Sequence, residues 1–467
     1  MADISIVDSH YVISKGRLDA EYYKSSFLEI EKNLSKLHCE RLKNLVESIK
    51  KGIFYILAEE YQARGVPFLR VSNIGNPFIE KKDLVCISPE KNQEHKSTSL
   101  KPEDIVISKG GTIGYVGIIT PDIGICNICQ DIIGVKNVKK TKVSPYFLAI
   151  FLLTKYGQNQ LHRGRSQQVQ AHLTLDVVRN LLVPILSKDF QLHIEQLVKQ
   201  AYEKRKLAEQ KYQQAEEKLY ELLGISKEEI EKLEAEKAYE TNFKEVKKTL
   251  RFDAEHYHPK YLGVLNLLRK TPFELKSLKE IAKIKHKKVN PEEEPYRTNK
   301  IKYIEIGGID TAFGEIIEYT EEYGWKLPSG GKYIVKEKDI LYSKVRPYRK
   351  GIGFVTKEFE GSLVTQGFTV IRCKSESIIP EYLFLYLRSD VGNLPLLRNM
   401  SGSTYPTVKD EDIGEILVPI IPKDKQQEIA NLVKEYFELR KEARQLIQKA
   451  IREVEEAIEN ASRSNRE

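Results

Sequence analysis

The chain is poor in the residues and patterns that mark most enzyme classes. Five cysteines, two methionines and one tryptophan are spread over 467 residues. An odd cysteine count argues against a disulfide framework. No apolar run reaches the roughly 18–20 residues of a membrane helix. The opening Met-Ala-Asp-Ile-Ser-Ile-Val-Asp lacks the basic-then-apolar order of a secretion signal, so the expected compartment is the cytoplasm. There is no GxxxxGKS/T phosphate loop, no HExxH, no Asn-Pro-Pro-Tyr and no Pro-Cys. The sole Pro-Asp, Pro121-Asp122, is not followed by an acidic-x-Lys triplet. Gly111-Thr-Ile-Gly-Tyr-Val-Gly117 lacks the spacing of a dinucleotide loop. These absences exclude the usual signatures of nucleotide hydrolysis, zinc proteolysis, base methylation and DNA cleavage, and the chain is expected not to be an enzyme.

What the chain does have is a duplication. Arg17-Leu-Asp-Ala-Glu-Tyr-Tyr23 returns as Arg251-Phe-Asp-Ala-Glu-His-Tyr257, 234 positions later. Leu100-Lys-Pro-Glu-Asp-Ile-Val-Ile-Ser-Lys109 returns as Val335-Lys-Glu-Lys-Asp-Ile-Leu-Tyr-Ser-Lys344, and Leu182-Val-Pro-Ile185 as Leu417-Val-Pro-Ile420. A period this long exceeds the roughly 20–50 residues of solenoid units and is a whole domain with its connector. Cys126-Asn-Ile-Cys129 has the spacing of half a metal site, but no second pair follows, and Ser362–Gln366 in the second repeat has no cysteine. The pair reads as buried thiols beside a strand at Ile132–Val135. His256 and His258 align with Tyr22 and Lys24, which argues against a metal site there.

Each repeat has two parts. The first is an α+β globule: β-rich runs at Val66–Val71, Asp104–Ser108 and Ile301–Ile306, with short helices at Pro145–Leu153 and Pro380–Leu387. The second is a long helix. One starts at Ser187, a candidate N-cap, and stops before Gly224. Its apolar positions Phe190, Ile194, Leu197, Ala201, Ala208, Ala215, Leu219 and Leu222 follow a heptad seam. The other starts after Pro422, with Ile429, Leu432, Tyr436, Leu439, Ala443, Leu446 and Ala450 in the same rhythm, and Ile447, Val454 and Ile458 are expected to widen its apolar face. Two helices of roughly 50 Å, at 1.5 Å per residue, are expected to pack on each other antiparallel rather than lie on their own globules. The predicted divisions are 1–186, a first globule; 187–240, a long helix with a short linking helix over Ser226–Lys237; 241–421, a second globule; and 422–467, a second long helix. The predicted architecture is thus two mixed globules held apart by an antiparallel coiled coil, related by a pseudo-two-fold axis. Asp19 and Asp253 are expected to cap helices that bury Tyr23 and Tyr257.

A net charge of +8 with pI near 8.8 permits polyanion binding only where basic residues cluster. Three places qualify. The loop Ser108–Tyr115 (Ser108, Lys109, Thr112, Tyr115) and its counterpart Ser343–Lys350 (Lys344, Arg346, Tyr348, Arg349, Lys350) follow matching strands. Lys and Arg there can meet phosphates and guanine edges; the alternative is a solvated turn. Residues 162–172 (Arg163, Arg165, Gln167, Gln168, Gln170) and 398–406 (Ser403, Thr404, Tyr405) carry side chains suited to base edges, or else form polar loops that cap the next helix. Lys285 and Lys287 lie in a basic run that suits salt-sensitive phosphate contact or plain solvation.

In ordered series, the duplicated Asp-Ala-Glu starts, Asp104–Lys109 and Asp339–Lys344, Val183-Pro-Ile and Val418-Pro-Ile, then Gln191-Leu-His-Ile194 and Gln426-Gln-Glu-Ile429, resemble the specificity subunit of type I restriction–modification systems over nearly the whole length. The resemblance implies two target-recognition domains, each reading one half of a split double-stranded DNA site. It implies helices that set the gap and dock two methyltransferase subunits, which bring S-adenosylmethionine, and a motor–nuclease subunit able to join them. No cofactor is expected in this chain itself. The globules diverge most over 50–100 and 285–335, around Trp325, which implies an asymmetric target. The competing readings are the recognition part of a fused enzyme and a coiled-coil adaptor for proteins with incidental basic loops.

Overall fold

A computed structural model describes residues 5–164, 172–236, 238–284, 286–330, 332–374 and 376–464. The chain divides into two compact units, Met1–Arg205 with Lys441–Glu467, and Lys206–Arg440.

The duplication extends to strand order. In the first unit a four-stranded sheet runs Val46–Lys51, Ile132–Val138, Ile105–Ser108, Val116–Ile118. In the second, the same order is Ala282–Lys283, Phe368–Cys373, Ile340–Ser343, Ile352–Phe354. Every pairing in both sheets is antiparallel. A second sheet places Val66–Leu69 between Val85–Ile87 and a parallel Asn127–Ile128, and correspondingly Lys300–Ile304 between Thr320–Tyr323 and a parallel Leu363–Val364. The central strands Ile105–Ser108 and Ile340–Ser343 are buried at every position, which explains their unbroken apolar sequences. Cys126 lies in this interior, and burial pushes its thiol far up.

The Val-Pro-Ile segments close each globule. Leu182–Pro184 pairs with Cys39–Arg41, and Leu417–Ile420 with Glu274–Ser277. Gln191 and Gln426 follow at equivalent positions, both buried. Each amide oxygen accepts a backbone N–H at the start of a globule helix, from Ser144 and Ile379, both at 2.8 Å. Each amide nitrogen donates to a carbonyl just before its own helix, Leu186 and Ile421. The glutamine of the Gln-x-x-Ile motif is therefore a buried clamp between long helix and globule.

The long helices span Lys188–Leu223 and Lys423–Ser464. The Ser187 hydroxyl accepts from the Phe190 N–H, and Gly224 adopts φ 62°, so both predicted ends are present. Within the first unit the helices run antiparallel: His193 meets Glu453 and Lys204 meets Glu442. Within the second, Lys211 meets Glu435 and Lys218 meets Glu428. The heptad rhythm is present, and the buried stripe is wider than the predicted seam. Ile194, Leu197, Ala201, Ala208, Ala215 and Leu219 are buried as expected, joined by Val198 and Tyr212 at i+4. On the second helix Ile429, Tyr436, Ala443, Ile447, Ala450, Val454 and Ile458 are buried as expected, joined by Val433, whereas Leu432, Leu439 and Leu446 are only partly covered. The cause is that each helix also packs on a globule, which widens its apolar face beyond a two-helix seam.

Two charged residues complete the i+4 row. Arg205 pairs with Glu80 at 2.9 Å in the first unit, and Arg440 pairs with Glu315 at 2.6 Å in the second. The second pair is nearly sealed, its side chains 8% and 4% exposed.

The Arg-x-Asp-Ala-Glu-x-Tyr motifs form identical clamps. Asp19 and Asp253 do not cap with their side chains. Their carboxylates take both guanidinium arms of Arg17 (2.6 and 2.9 Å) and Arg251 (2.6 and 2.7 Å). A bidentate charge-assisted pair outcompetes a single backbone donor. The Tyr23 and Tyr257 hydroxyls each donate to the carbonyl of that arginine at 2.7 Å. Behind the first motif, Glu31 receives Lys15, Tyr11 and Arg163; although burial opposes it, these bonds hold its carboxyl down to about 2.

Removing one partner of a buried ion pair strands the other. Arg440→Met is expected to destabilise the second unit by about 3–5 kcal/mol in chemical denaturation, and Arg440→Met/Glu315→Met to recover most of that loss. Glu31 is depressed in the folded state, so its stabilisation is full above the unfolded carboxylate value near 4.3 and disappears as pH falls toward 2. Glu31→Gln should lower Tm at pH 7, and the gap to the parent should close across that acid window.

Candidate nucleic-acid interface

In the second unit, two loops far apart in sequence form one surface. The loop after Ile340–Ser343 and the hairpin around Ser401–Thr407 are joined by the Arg346 N–H to the Pro406 carbonyl (2.7 Å) and the Val408 N–H to the Lys344 carbonyl (3.0 Å). The hairpin closes on itself through reciprocal Ser401 and Thr407 backbone bonds. Arg346 and Lys350 both sit in the left-handed region, at φ 49° and 54°, flanking a turn at Pro347–Arg349. The Arg346 guanidinium lies 4.7 Å over the Tyr405 ring, a cation–π contact that pre-orients it. Its Nε is buried without a hydrogen-bond partner among the described residues. Tyr348, Arg349, Ser403, Thr404 and Tyr405 are exposed around it.

Not every cation there is available. Lys350 pairs with Asp390 at 2.5 Å and Lys344 with Asp410 at 3.3 Å. The positive charge this surface presents therefore rests on Arg346 and Arg349. A buried arginine supports it from beneath: Arg388 donates to the Lys350 and Ile352 carbonyls at 3.0 and 2.8 Å. Lys287 is exposed, outside this pair of loops.

The first unit repeats the frame with different chemistry. The Leu173 N–H donates to the Lys109 carbonyl at 3.1 Å, matching the Val408–Lys344 bond. Here the loop is glycine-rich, with Gly111 and Gly114 at positive φ. Ser108 is fully buried; its hydroxyl donates to the Thr112 carbonyl and accepts from the Tyr115 N–H. It is a turn former and not a DNA contact, which corrects the sequence expectation. Tyr115 is half-buried and Thr112 exposed. Lys109 stands beside Lys51, and burial together with that like charge keeps its pKa below the ordinary lysine value. Two crowded ammonium groups favour an arriving anion.

Arg163 is also corrected. Its Nε donates to the Tyr22 carbonyl, its Nη1 pairs with Glu31, and its guanidinium stacks 4.1 Å over Tyr22. It fastens the Asp-Ala-Glu motif to the globule, as Arg398 does through His256 in the second unit. Arg165, Gln167, Gln168, Gln170 and Lys285 lie outside the described residues. Lys51 and the exposed Phe54 and Tyr55, with Lys51 5.4 Å over Phe54, were missed from sequence. The signal was present in Lys50-Lys-Gly-Ile-Phe-Tyr55, where basic residues precede aromatics able to stack on bases.

A family model, Type I restriction modification DNA specificity domain, matches residues 38–217 and again 270–452. Among curated proteins, the chain is 28% identical over 109 residues to the HindI specificity subunit of Haemophilus influenzae, covering 23% of this chain and 24% of that one. It is 28% identical over 138 residues to the EcoBI specificity subunit of Escherichia coli, covering 30% and 29%. These matches therefore take in less than a third of the relatives' lengths. Among solved structures it is similar to the HsdS subunit from Thermoanaerobacter tengcongensis (28% identity, 37% and 44% covered, TM-score 0.30). It is also similar to the type I restriction–modification S subunit from M. genitalium (14% identity, 91% and 95% covered, TM-score 0.40). With two family matches that together span most of its length, the chain belongs to the type I restriction modification DNA specificity family and carries its domain twice.

Proposed function

We propose that this chain is the specificity subunit of a type I restriction–modification complex, reading an asymmetric, two-part double-stranded DNA site without catalysing a reaction itself. The observation that carries the reading is the joined pair of loops in each family-matched repeat, with Arg346 poised over Tyr405 in one and Lys109 crowded against Lys51 in the other. Both follow the equivalent central strand of the four-stranded sheet, so one scaffold presents two different reading surfaces. An arginine-rich turn suits bidentate contact with guanine, whereas a glycine-rich turn with lysines suits close backbone approach and phosphate contact. Unequal loops favour unequal half-sites.

On this reading, two methyltransferase subunits supply S-adenosylmethionine and the methyl transfer, and a motor–nuclease subunit can join them. The complex works in the cytoplasm. The long helices are the natural seat for partners, since their charged outer faces carry alternating Lys and Glu.

The test is DNA binding by the purified chain against salt. A reader that contacts 6–10 phosphates should lose roughly 10³–10⁵ in affinity between 50 and 200 mM salt. Arg346→Ala and Arg349→Ala should each weaken specific binding by about 1–3 kcal/mol or flatten the salt slope by about one. Salt-insensitive or absent DNA binding favours the protein-adaptor reading instead.

A further inference from the structure

We propose that Phe54, with Tyr55 beside it, is a wedge that enters between two base pairs of the half-site read by the first repeat. That half-site is then selected partly by how easily it kinks at the separated step. The inference rests on the specificity-subunit reading and adds a specificity determinant to it.

Phe54 and Tyr55 are 76% and 69% exposed. One exposed aromatic is ordinary; these two are consecutive and rigidly supported. The Gly52 N–H donates to the Ile132 carbonyl at 3.0 Å, and the Ile53 N–H to the Ile128 carbonyl at 2.9 Å. A Cβ on Gly52 would lie 2.1 Å from the Cys129 carbonyl oxygen, so only glycine lets the chain press this closely. Ile53 is buried next to it. On the far side, the Leu57 N–H donates to the Glu60 carboxylate at 2.9 Å, and that carboxylate pairs with Lys91 at 2.8 Å. The aromatic tip is therefore clamped at both ends. Lys51 lies 5.4 Å over the Phe54 ring and restrains it further. A fixed apolar group loses little freedom on binding.

The same anchor serves the reading loop. The Lys109 N–H donates to the Asp131 carbonyl at 2.7 Å. Residues 128–132 thus hold the aromatic tip and the loop after Ile105–Ser108 side by side.

Charge decides what the tip meets. Lys50 and Lys51 pair with no carboxylate among the described residues. Burial, together with the like charge of Lys51, holds Lys109 below the ordinary lysine range. An apolar tip flanked by uncompensated cations suits a duplex. The lysines meet phosphates, and the ring enters the base stack, the apolar part of DNA.

The second repeat has no such tip. Its equivalent strand, Ala282–Lys283, continues as Ile-Lys-His-Lys-Lys-Val over 284–289, without phenylalanine or tyrosine. Kinking is therefore expected in one half-site only, at a step that unstacks at low cost, TA or CA/TG.

The test uses the full chain without methyltransferase, on duplexes carrying the split motif recovered by methylation mapping. The duplexes are intact or nicked on one strand at each successive step. A nick leaves every base in place and lowers the cost of a kink. The parent should bind about tenfold more tightly when the nick falls at one pyrimidine–purine step of one half-site. Energy transfer between dyes at the duplex ends should report a bend in the intact motif. Phe54→Ala/Tyr55→Ala removes two exposed side chains and leaves the core untouched. It should lose the bend and the nick preference, and bind the intact motif about tenfold more weakly. A double variant that keeps bend and preference overturns the wedge, as does a parent that binds the motif with neither. A parent with no affinity for the motif, or mapping that recovers none, overturns the specificity-subunit reading, and the wedge with it.

Discussion

The half-buried pairing of Arg205 with Glu80, and the buried pairing of Arg440 with Glu315, fix how each long helix meets its globule. An apolar stripe alone tolerates rotation by a fraction of a turn, because its contacts are non-directional. A guanidinium inside that stripe does not, since any rotation leaves one charge without its partner in a poorly solvated place. The buried glutamines Gln191 and Gln426 repeat the constraint near each helix start. With rotation fixed, the same alanine positions face inward along the whole helix. The core of the first unit then includes Ala443, Ala450 and Val454 from the far end of the chain, and that of the second includes Ala208, Ala215 and Leu219. The first core therefore draws on both ends of the chain, whereas the second lies within Lys206–Arg440.

This scaffold separates structural charge from charge that remains for a ligand. Arg163, Arg17, Arg251 and Arg388 are committed to carboxylates, carbonyls and phenols of the fold. Arg346, Arg349 and Lys109, in the loops that follow the central strands, and Lys51, at the end of Val46–Lys51, remain for other work. Because strand order is the same in both units, the loops are held at equivalent places while their residues differ. One framework thus presents two different loop surfaces.

Much of this was legible in the sequence, for identifiable reasons. The duplication, the strands Val66–Leu69 and Ile105–Ser108, the helix Pro145–Leu153 and both long helices followed from period, Pro and Gly. The seam was read with the correct rhythm, but Val198, Tyr212 and Val433 were left out of it, because Arg205 and Arg440 looked like surface residues and interrupted the i+4 row. Asp19 looked like a cap, because the competing guanidinium two residues earlier is not visible as a contact in a linear string. Ser108 and Arg163 looked like ligand contacts, since residue type shows hydrogen-bonding capacity but not whether the fold has already used it. The joining of 344–350 to 400–407 depends on tertiary contact, and no local pattern announces it.

The central claim is that two unequal readers on one chain select a split DNA site. Mapping methylated bases across the genome of a cell with and without this chain tests it most directly. The account predicts an asymmetric motif of two half-sites with a fixed gap, methylated only when the chain is present. A palindromic motif would contradict the unequal readers, and unchanged methylation would contradict the role in DNA recognition itself.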